Sequence, residues 1–96
     1  MDLLFHVGTA QGGRVLVPLA LAARRAGCRF GAFFTHEGVV GLRDAQLVAA
    51  LGGADRAVVC EESWHRFCAG LPCPVEAGSQ TTNSALMAEA GKVVSL

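Results

Sequence analysis

Neither sign of charge is in excess in this sequence. Eight lysine and arginine residues balance eight aspartate and glutamate residues, so the formal net charge is zero. A protein that binds nucleic acid usually carries a basic face, and we therefore expect no nucleic-acid partner. Charged residues are also few, at 17% of a chain that is 52% hydrophobic. Because so small a domain has much surface to cover, we expect part of its apolar surface to be buried in a homo-oligomer or hetero-oligomer.

Long hydrophobic runs are missing too. No apolar segment approaches the ~18–20 residues that a helix needs to cross a bilayer, and Met1–His6 lacks the basic region of a signal peptide. These absences predict a cytoplasmic protein with no membrane partner. Cysteines of a cytoplasmic chain stay reduced, so the four cysteines are expected to be thiols, metal ligands or redox groups rather than structural disulfides.

Five short apolar segments of strand type alternate with segments of helical spacing. Strands are predicted at 3–7, 29–34, 57–60, 75–78 and 92–96. Helices are predicted from near Val15 to Ala26, over 44–51, over 63–67 with Ser63 as N-cap, and up to Ala90 with Thr82 or Asn83 as N-cap. Strands that alternate with helices across short glycine-rich turns predict an α/β fold. We expect one domain over residues 1–96, with a parallel sheet and helices on both faces.

Cys60 is the candidate catalytic residue. It ends the apolar run Arg56–Cys60 and is followed by Glu61, Glu62 and Ser63. In an open α/β sheet, ligands bind at the carboxyl ends of the strands, where the next helix begins with unpaired N–H groups that favour a negative charge. Such a place can lower the pKa of a thiol from about 8.5 to ~3.5–7.5, and the thiolate is the reactive form. Glu61 and Glu62 are expected to oppose that shift, because nearby carboxylates disfavour a second negative charge.

Two histidines and a glycine-rich loop are further candidates. His36 follows the second strand, at the same predicted edge as Cys60. His65 lies five positions after Cys60. If the turn between them places its side chain beside the sulfur, it helps to stabilise a thiolate; the alternative is an exposed helical residue. The glycines of the loop Gly8–Gly13 would let backbone N–H groups approach an anion at a helix start. The loop matches neither the dinucleotide fingerprint nor a phosphate-binding loop, and a tight turn is the simpler interpretation.

The other thiols allow two interpretations. The spacing Cys-x4-His-x2-Cys-x4-Cys joins Cys60, His65, Cys68 and Cys73, and both residue types are zinc ligands. This spacing matches none of the common paired-ligand patterns, and a domain that builds its own core does not need a structural metal. The alternative is a thiol cluster in which one sulfur attacks and another resolves a disulfide. Cys28 is predicted to be a small buried hydrophobe.

In their order and spacing, these segments resemble the DsrE/DsrF-like family of small sulfur-relay proteins. The resemblance covers nearly the whole chain and rests on the amino-terminal strand and helix together with Phe33–Val39, Val58–Ser63, Val75–Leu86 and Lys92–Leu96. It implies a three-layer α/β fold of flavodoxin-like arrangement, with a five-stranded, mainly parallel sheet. Members of the family commonly assemble into trimers or hexamers. Active members carry a cysteine after the third strand that accepts sulfur as a persulfide, and Cys60 falls at that position.

The resemblance implies a specific role for Cys60. It would take sulfur from a donor protein and pass it to a cysteine of an acceptor protein, with no cofactor and no metal. Backbone donors for the thiolate would come from the helix start near Ser63. Further donors would come from the loop after the fourth strand, formed by Gly78, Ser79 and Gln80.

The resemblance leaves two matters open. Cys68 and Cys73 are additional thiols to which it gives no role. The family also includes subunits without transfer activity. The alternative function is therefore a non-catalytic oligomeric subunit, or a module that binds a small anion or metabolite through the loops Gly8–Gly13 and Gly78–Gln80.

Overall fold

The five predicted strands all form, and they join into one sheet. In the computed structural model, which describes residues 1–96, the strands are β1 (Leu3–Val7), β2 (Phe30–Phe34), β3 (Arg56–Cys60), β4 (Glu76–Gly78) and β5 (Lys92–Ser95). Their order across the sheet is β4-β3-β2-β1-β5, and every neighbouring pair is parallel. The parallel sheet predicted from the sequence is therefore confirmed.

Helical segments make all the connections between the strands. The α-helices are α1 (Gly12–Arg25), α2 (Ala45–Ala50), α3 (Glu61–Cys68) and α4 (Gln80–Glu89). Two 3₁₀ segments, His36–Arg43 and Leu51–Gly53, flank α2. None of these helices has the length and apolar character needed to cross a bilayer.

Helices cover both faces of the sheet, because the direction in which the chain crosses the sheet reverses after β4. Right-handed connections place α1, α2 and α3 on one face and α4 on the other. The burial pattern agrees. Side chains of α1, α2 and α3 share a core cluster of 15 buried residues, whereas Leu86 of α4 belongs to a separate cluster of 5. The fold is therefore a three-layer α/β arrangement of the flavodoxin-like type.

Cys60 lies on the thinner face of the sheet, the one that α4 covers alone. Successive side chains of a strand point to opposite faces, so within β3 Val59 belongs to the large core cluster and Cys60 to the small one. The small cluster consists of Leu4, Phe33, Val58, Cys60 and Leu86. Helix α4 thus contributes a single buried apolar side chain, Leu86, to the cluster that surrounds Cys60.

The boundaries of α1 differ from the prediction. The helix begins at Gly12 rather than near Val15, so Pro18 lies inside it, where the missing N–H removes one backbone hydrogen bond. At the other end, Gly27 has a φ of +72° and closes the helix, as glycine commonly does. The chain leaves this turn at the surface, so Cys28 is exposed. Its predicted burial is wrong.

The starts of α3 and α4 also differ from the prediction. Helix α3 begins directly after Cys60, so Ser63 is not its N-cap but a buried residue of its first turn. Helix α4 begins at Gln80, and its N-cap lies three or four residues before the predicted one. Ser79 caps it, in a reciprocal capping box with Thr82. Both shifts bring helix starts closer to the carboxyl edge of the sheet.

Candidate functional site

Cys60 joins a strand to a helix without an intervening loop. It is the last residue of β3 and the N-cap of α3. Only 6% of the residue is exposed, and it lies where the first turn of a helix leaves backbone N–H groups unpaired. The predicted position of this residue, at a strand end beside a helix N-terminus, is therefore confirmed.

The surroundings of Cys60 favour its thiolate. Burial has the largest single effect and raises the pKa of the thiol, because it disfavours the charged form. Hydrogen-bond donors together outweigh burial and lower the pKa below the ordinary value of a cysteine: the Ser63 hydroxyl, the Ser63 backbone N–H, and the side chains of Thr35 and Gln80. Glu61 and Glu62 are exposed, and the expected opposition of their charges does not prevent the downward shift.

Two buried hydroxyl groups connect four elements around the sulfur. Thr35, which follows β2, and Ser63 of α3 place their side-chain oxygens 3.5 Å apart. From the start of α4, the Gln80 side-chain amide donates to Thr35 Oγ1 at 3.2 Å. The backbone N–H of His36 donates to Ser63 Oγ at 2.8 Å, and His36 Nδ1 lies 3.1 Å from Thr35 Oγ1. The donors to Cys60 are thus themselves held in place by hydrogen bonds.

His36 reaches this network through an unusual backbone conformation. Its φ of +52° makes it the one non-glycine residue of the chain in the left-handed region, where residues other than glycine are uncommon and asparagine, aspartate and histidine are the most frequent of them. The residue is exposed, yet both its Nδ1 atom and its backbone N–H contact the buried hydroxyls. Such strain persists where the surrounding contacts over-determine a conformation, and it is concentrated at functional sites.

A cavity of about 820 Å³ opens beside the sulfur, between α3 and the start of α4. This volume is that of a site for a small ligand or a short segment of a partner. Its lining includes two carboxylates, Glu61 and Glu62, and no lysine or arginine. The lining residues are Cys60, Glu61, Glu62, Trp64, His65, Ala69, Gly70, Leu71, Gly78, Ser79, Gln80 and Thr81.

The structure brings most of the predicted site residues together. Five of them line the cavity: Cys60, His65, Gly78, Ser79 and Gln80. His36 and Ser63 belong to the hydrogen-bond network behind the sulfur. Gly8 lies apart, at the end of β1, two strands away from β3. Its backbone N–H donates to Leu96 O at 2.9 Å, and it does not line the cavity.

Thr35 is a site residue that the sequence analysis did not identify. Its role depends on the pairing of β2 with β3, which places the end of β2 beside Cys60. The available signal was a hydroxyl residue directly after an apolar strand, in the segment that also contains His36. Strand order decides whether such a residue faces the cysteine, and that order was not predicted.

The four residues of the Cys-x4-His-x2-Cys-x4-Cys spacing do not converge. Cys68 is 2% exposed and lies in the large core cluster, so the sheet separates it from Cys60. Cys73 is exposed, and its Sγ donates to Val75 O at 3.2 Å. No group of three or more His, Cys, Asp or Glu residues is placed to hold a metal ion. The zinc set and the shared thiol cluster are therefore both wrong.

Cys68 is a structural thiol. Burial raises its pKa most strongly, the charge of nearby Cys73 raises it further, and Arg43 acts in the opposite direction. The net shift is upward, so the thiol stays protonated and unreactive at neutral pH. Of the two buried cysteines, Cys60 alone has a lowered pKa.

Neither a protein-family model nor a curated protein matches the chain. What the site can do chemically thus follows from its own geometry. A stabilised thiolate beside an open cavity is suited to nucleophilic attack. No histidine side chain is hydrogen-bonded to the Cys60 sulfur, since His36 contacts Thr35 and Ser63 instead, whereas hydrolytic cysteine enzymes activate their cysteine with a Cys–His pair.

Proposed function

We propose that the protein is a sulfurtransferase or persulfide carrier of the DsrE/DsrF-like family. The observation that carries the proposal is the position of Cys60, which ends β3, caps α3 and lines an open cavity, where neighbouring donors lower the pKa of its thiol. Exchange of sulfur between thiolates needs a good nucleophile and no general base. The arrangement therefore favours sulfur transfer over hydrolysis.

The proposed reaction consists of two transfers of one sulfur atom, first from the donor to Cys60 and then from Cys60 to the acceptor. The Cys60 thiolate attacks the outer sulfur of a donor persulfide, R–S–SH, so that a new S–S bond forms on Cys60. The donor S–S bond breaks, and its electron pair leaves on the donor as a thiolate. An acceptor thiolate then attacks the outer sulfur of Cys60–S–SH and regenerates the Cys60 thiolate. Neither exchange is a net oxidation or reduction, so no cofactor is needed.

Loading of Cys60 tests this proposal. After incubation with a persulfide donor, the intact mass of the wild type is expected to rise by one sulfur, about 32 Da, in a form that reductants remove. The Cys60→Ser variant should show no such gain, whereas the Cys28→Ser variant, which lacks an exposed thiol instead, should load like the wild type. Loading that survives the loss of Cys60 would sink the proposal.

The charge of the cavity favours a protein donor over a small anionic one. Glu61 and Glu62 line it, and no cation offsets them. A thiosulfate dianion is therefore expected to load Cys60 slowly. Because both carboxylates are exposed and screened, the Glu61→Gln/Glu62→Gln variant should raise the thiosulfate rate by only about two- to fivefold.

The rate of sulfite release measures this thiosulfate reaction. Glu89→Gln, at the far end of α4, removes an exposed carboxylate that does not line the cavity and should leave the rate unchanged. A rate that stays the same in the Glu61→Gln/Glu62→Gln variant would show that the charge of the cavity does not select the donor.

The exposed apolar surface supports assembly into an oligomer, and we propose a homo-oligomer or hetero-oligomer that acts with donor and acceptor proteins. Seven large apolar side chains are exposed: Val15, Leu19, Leu21, Phe67, Leu71, Met87 and Val93. Light scattering of the purified protein should give a mass above that of one 9.9 kDa chain, and a monomer would contradict self-association.

Four free thiols suit a reducing compartment, so we propose that the protein acts in the cytoplasm.

A second function class, the binding of a small anion, is favoured by one observation. A cavity of about 440 Å³ beside the start of α1 is lined by Arg14 and Arg43, and neither arginine is in a salt bridge. Asp44 also lines it, but its side chain caps α2. If this cavity holds an anion, calorimetric titration with inorganic phosphate should show saturable binding that Arg14→Gln abolishes. Absence of binding in the wild type would remove this alternative.

A further inference from the structure

The Thr35 hydroxyl has more neighbours than it can bond. A hydroxyl offers one hydrogen and two lone pairs. Three groups lie within 3.5 Å of Thr35 Oγ1: the Gln80 amide, His36 Nδ1 and Ser63 Oγ. The Cys60 sulfur is the fourth neighbour, because the pairing of Phe34 with Val59 places the residues that follow them, Thr35 and Cys60, side by side. Which neighbour accepts the Thr35 hydroxyl hydrogen therefore depends on which of the other neighbours donate hydrogen bonds to Oγ1.

The state in which Cys60 is a thiolate allows one complete assignment. The Thr35 hydrogen points to the sulfur, and the Gln80 amide donates to one lone pair of Oγ1 at 3.2 Å. The second lone pair then faces His36 Nδ1 at 3.1 Å. If Nδ1 carries a hydrogen, this contact is a hydrogen bond. If Nδ1 is bare, two lone pairs face each other, and the Thr35 hydrogen is drawn away from the sulfur to relieve the repulsion.

Ser63 does not replace the histidine in this assignment. Its oxygen is the more distant neighbour, at 3.5 Å from Thr35 Oγ1. Ser63 Oγ also accepts the backbone N–H of His36 at 2.8 Å, which leaves the Ser63 hydrogen free for the Cys60 thiolate. The left-handed backbone of His36 thus serves both hydroxyls, because it directs the N–H to Ser63 while Nδ1 contacts Thr35.

We propose that His36 is a positioning residue: its Nδ1–H bonds to Thr35 Oγ1 and thereby holds the Thr35 hydrogen on the Cys60 sulfur. The Nδ1–H is present in the imidazolium and in one of the two neutral tautomers. His36 does not touch the sulfur and acts only through Thr35. This inference deepens the proposed function, since it concerns the same thiolate, but it is tested without any sulfur transfer.

The test is the pH profile of Cys60 alkylation by iodoacetamide, measured in a Cys28→Ser/Cys73→Ser background that removes the two exposed thiols. Below the thiol pKa, the rate follows the thiolate fraction. His36→Gly keeps the left-handed backbone and removes the donor. It should slow alkylation about three- to tenfold on the low-pH limb, the effect of losing one hydrogen bond.

Two further variants separate positioning from a structural role. Asparagine tolerates the left-handed backbone and carries a side-chain N–H but does not titrate, so His36→Asn should stay within about twofold of wild type. In a Thr35→Val background, His36→Gly should have no further effect, because the hydroxyl through which it acts is gone.

The other titratable groups at the cavity, Glu61, Glu62 and His65, are the same in all these variants. Differences between the profiles therefore report on His36 and Thr35. A His36→Gly profile equal to wild type would overturn the inference, and so would equal slowing by His36→Gly and His36→Asn. A His36→Gly effect that persists in the Thr35→Val background would also overturn it. Because alkylation needs only the thiolate, failure of sulfur loading would leave this result intact.

Discussion

Replacing Ser63 with alanine is expected to slow the reaction of Cys60 with alkylating reagents roughly ten- to a hundredfold below its pKa, the range for a hydrogen bond to a charged group. The Ser63 hydroxyl is the foremost of the donors that lower the pKa of Cys60. Its loss therefore raises that pKa toward the ordinary value. The same change leaves the backbone N–H of His36 without its acceptor.

The sign of the pH dependence follows from this shift. Below the thiol pKa the variant holds less thiolate than the wild type and reacts more slowly, whereas at high pH both are fully ionised and their rates converge. Ser84→Ala, on the exposed surface of α4, is the matched control and should leave the profile unchanged. A Ser63→Ala profile that overlays that of the wild type would mean that the hydroxyl does not stabilise the thiolate.

Leu86→Ala is expected to have the second large effect, a loss of about 2–5 kcal/mol in the free energy of unfolding. Leu86 is fully buried and is the one side chain of α4 in the small core cluster that contains Cys60. Truncation loosens α4, and Gln80 at the start of that helix donates to Thr35 Oγ1. The variant should therefore lose stability and Cys60 reactivity together.

Chemical denaturation measures the loss of stability, and alkylation at neutral pH measures the loss of reactivity. Met87→Ala, one position further along the same helix and 44% exposed, should change the free energy of unfolding by no more than about 0.5 kcal/mol. Equal effects of the two substitutions would show that α4 is not held through Leu86. A Leu86→Ala variant that is destabilised but keeps normal Cys60 reactivity would show that the packing of α4 does not affect the reactivity of the cysteine.

The parts of the fold that local patterns determine could be predicted from the sequence. Short apolar runs bounded by turn residues located all five strands, and the position of Cys60 at the end of β3 followed from such a run. The 3₁₀ segment His36–Arg43 was not predicted. Its glycines, Gly38 and Gly41, interrupt helical spacing, and the segment is held by packing of Gly38 against the end of β1.

The sequence predicted those site residues whose own type and position along the chain mark them, such as Cys60 at a strand end. It did not predict contacts that depend on how the strands are arranged. Serine is a common N-cap residue, but Cys60 is the N-cap of α3 and the Ser63 side chain is buried. Where α3 begins depends on its packing against the sheet, which the local sequence does not show. Thr35 joins the site because β2 lies beside β3. Cys60 and Cys68 lie on opposite faces of the sheet. This separation depends on which face each residue of β3 points to and on where α3 ends, so the spacing of the cysteines along the chain could not predict it.

A single-turnover transfer of sulfur from Cys60 tests whether the protein is a persulfide carrier. Protein loaded with one sulfur is freed of donor and mixed with a peptide that contains one cysteine, and the masses of both are followed. We expect the protein to lose about 32 Da while the peptide gains the same mass, and Cys60→Ser to show neither change. Sulfur that stays on Cys60, or leaves as sulfide while the peptide is unmodified, would contradict a role as a carrier.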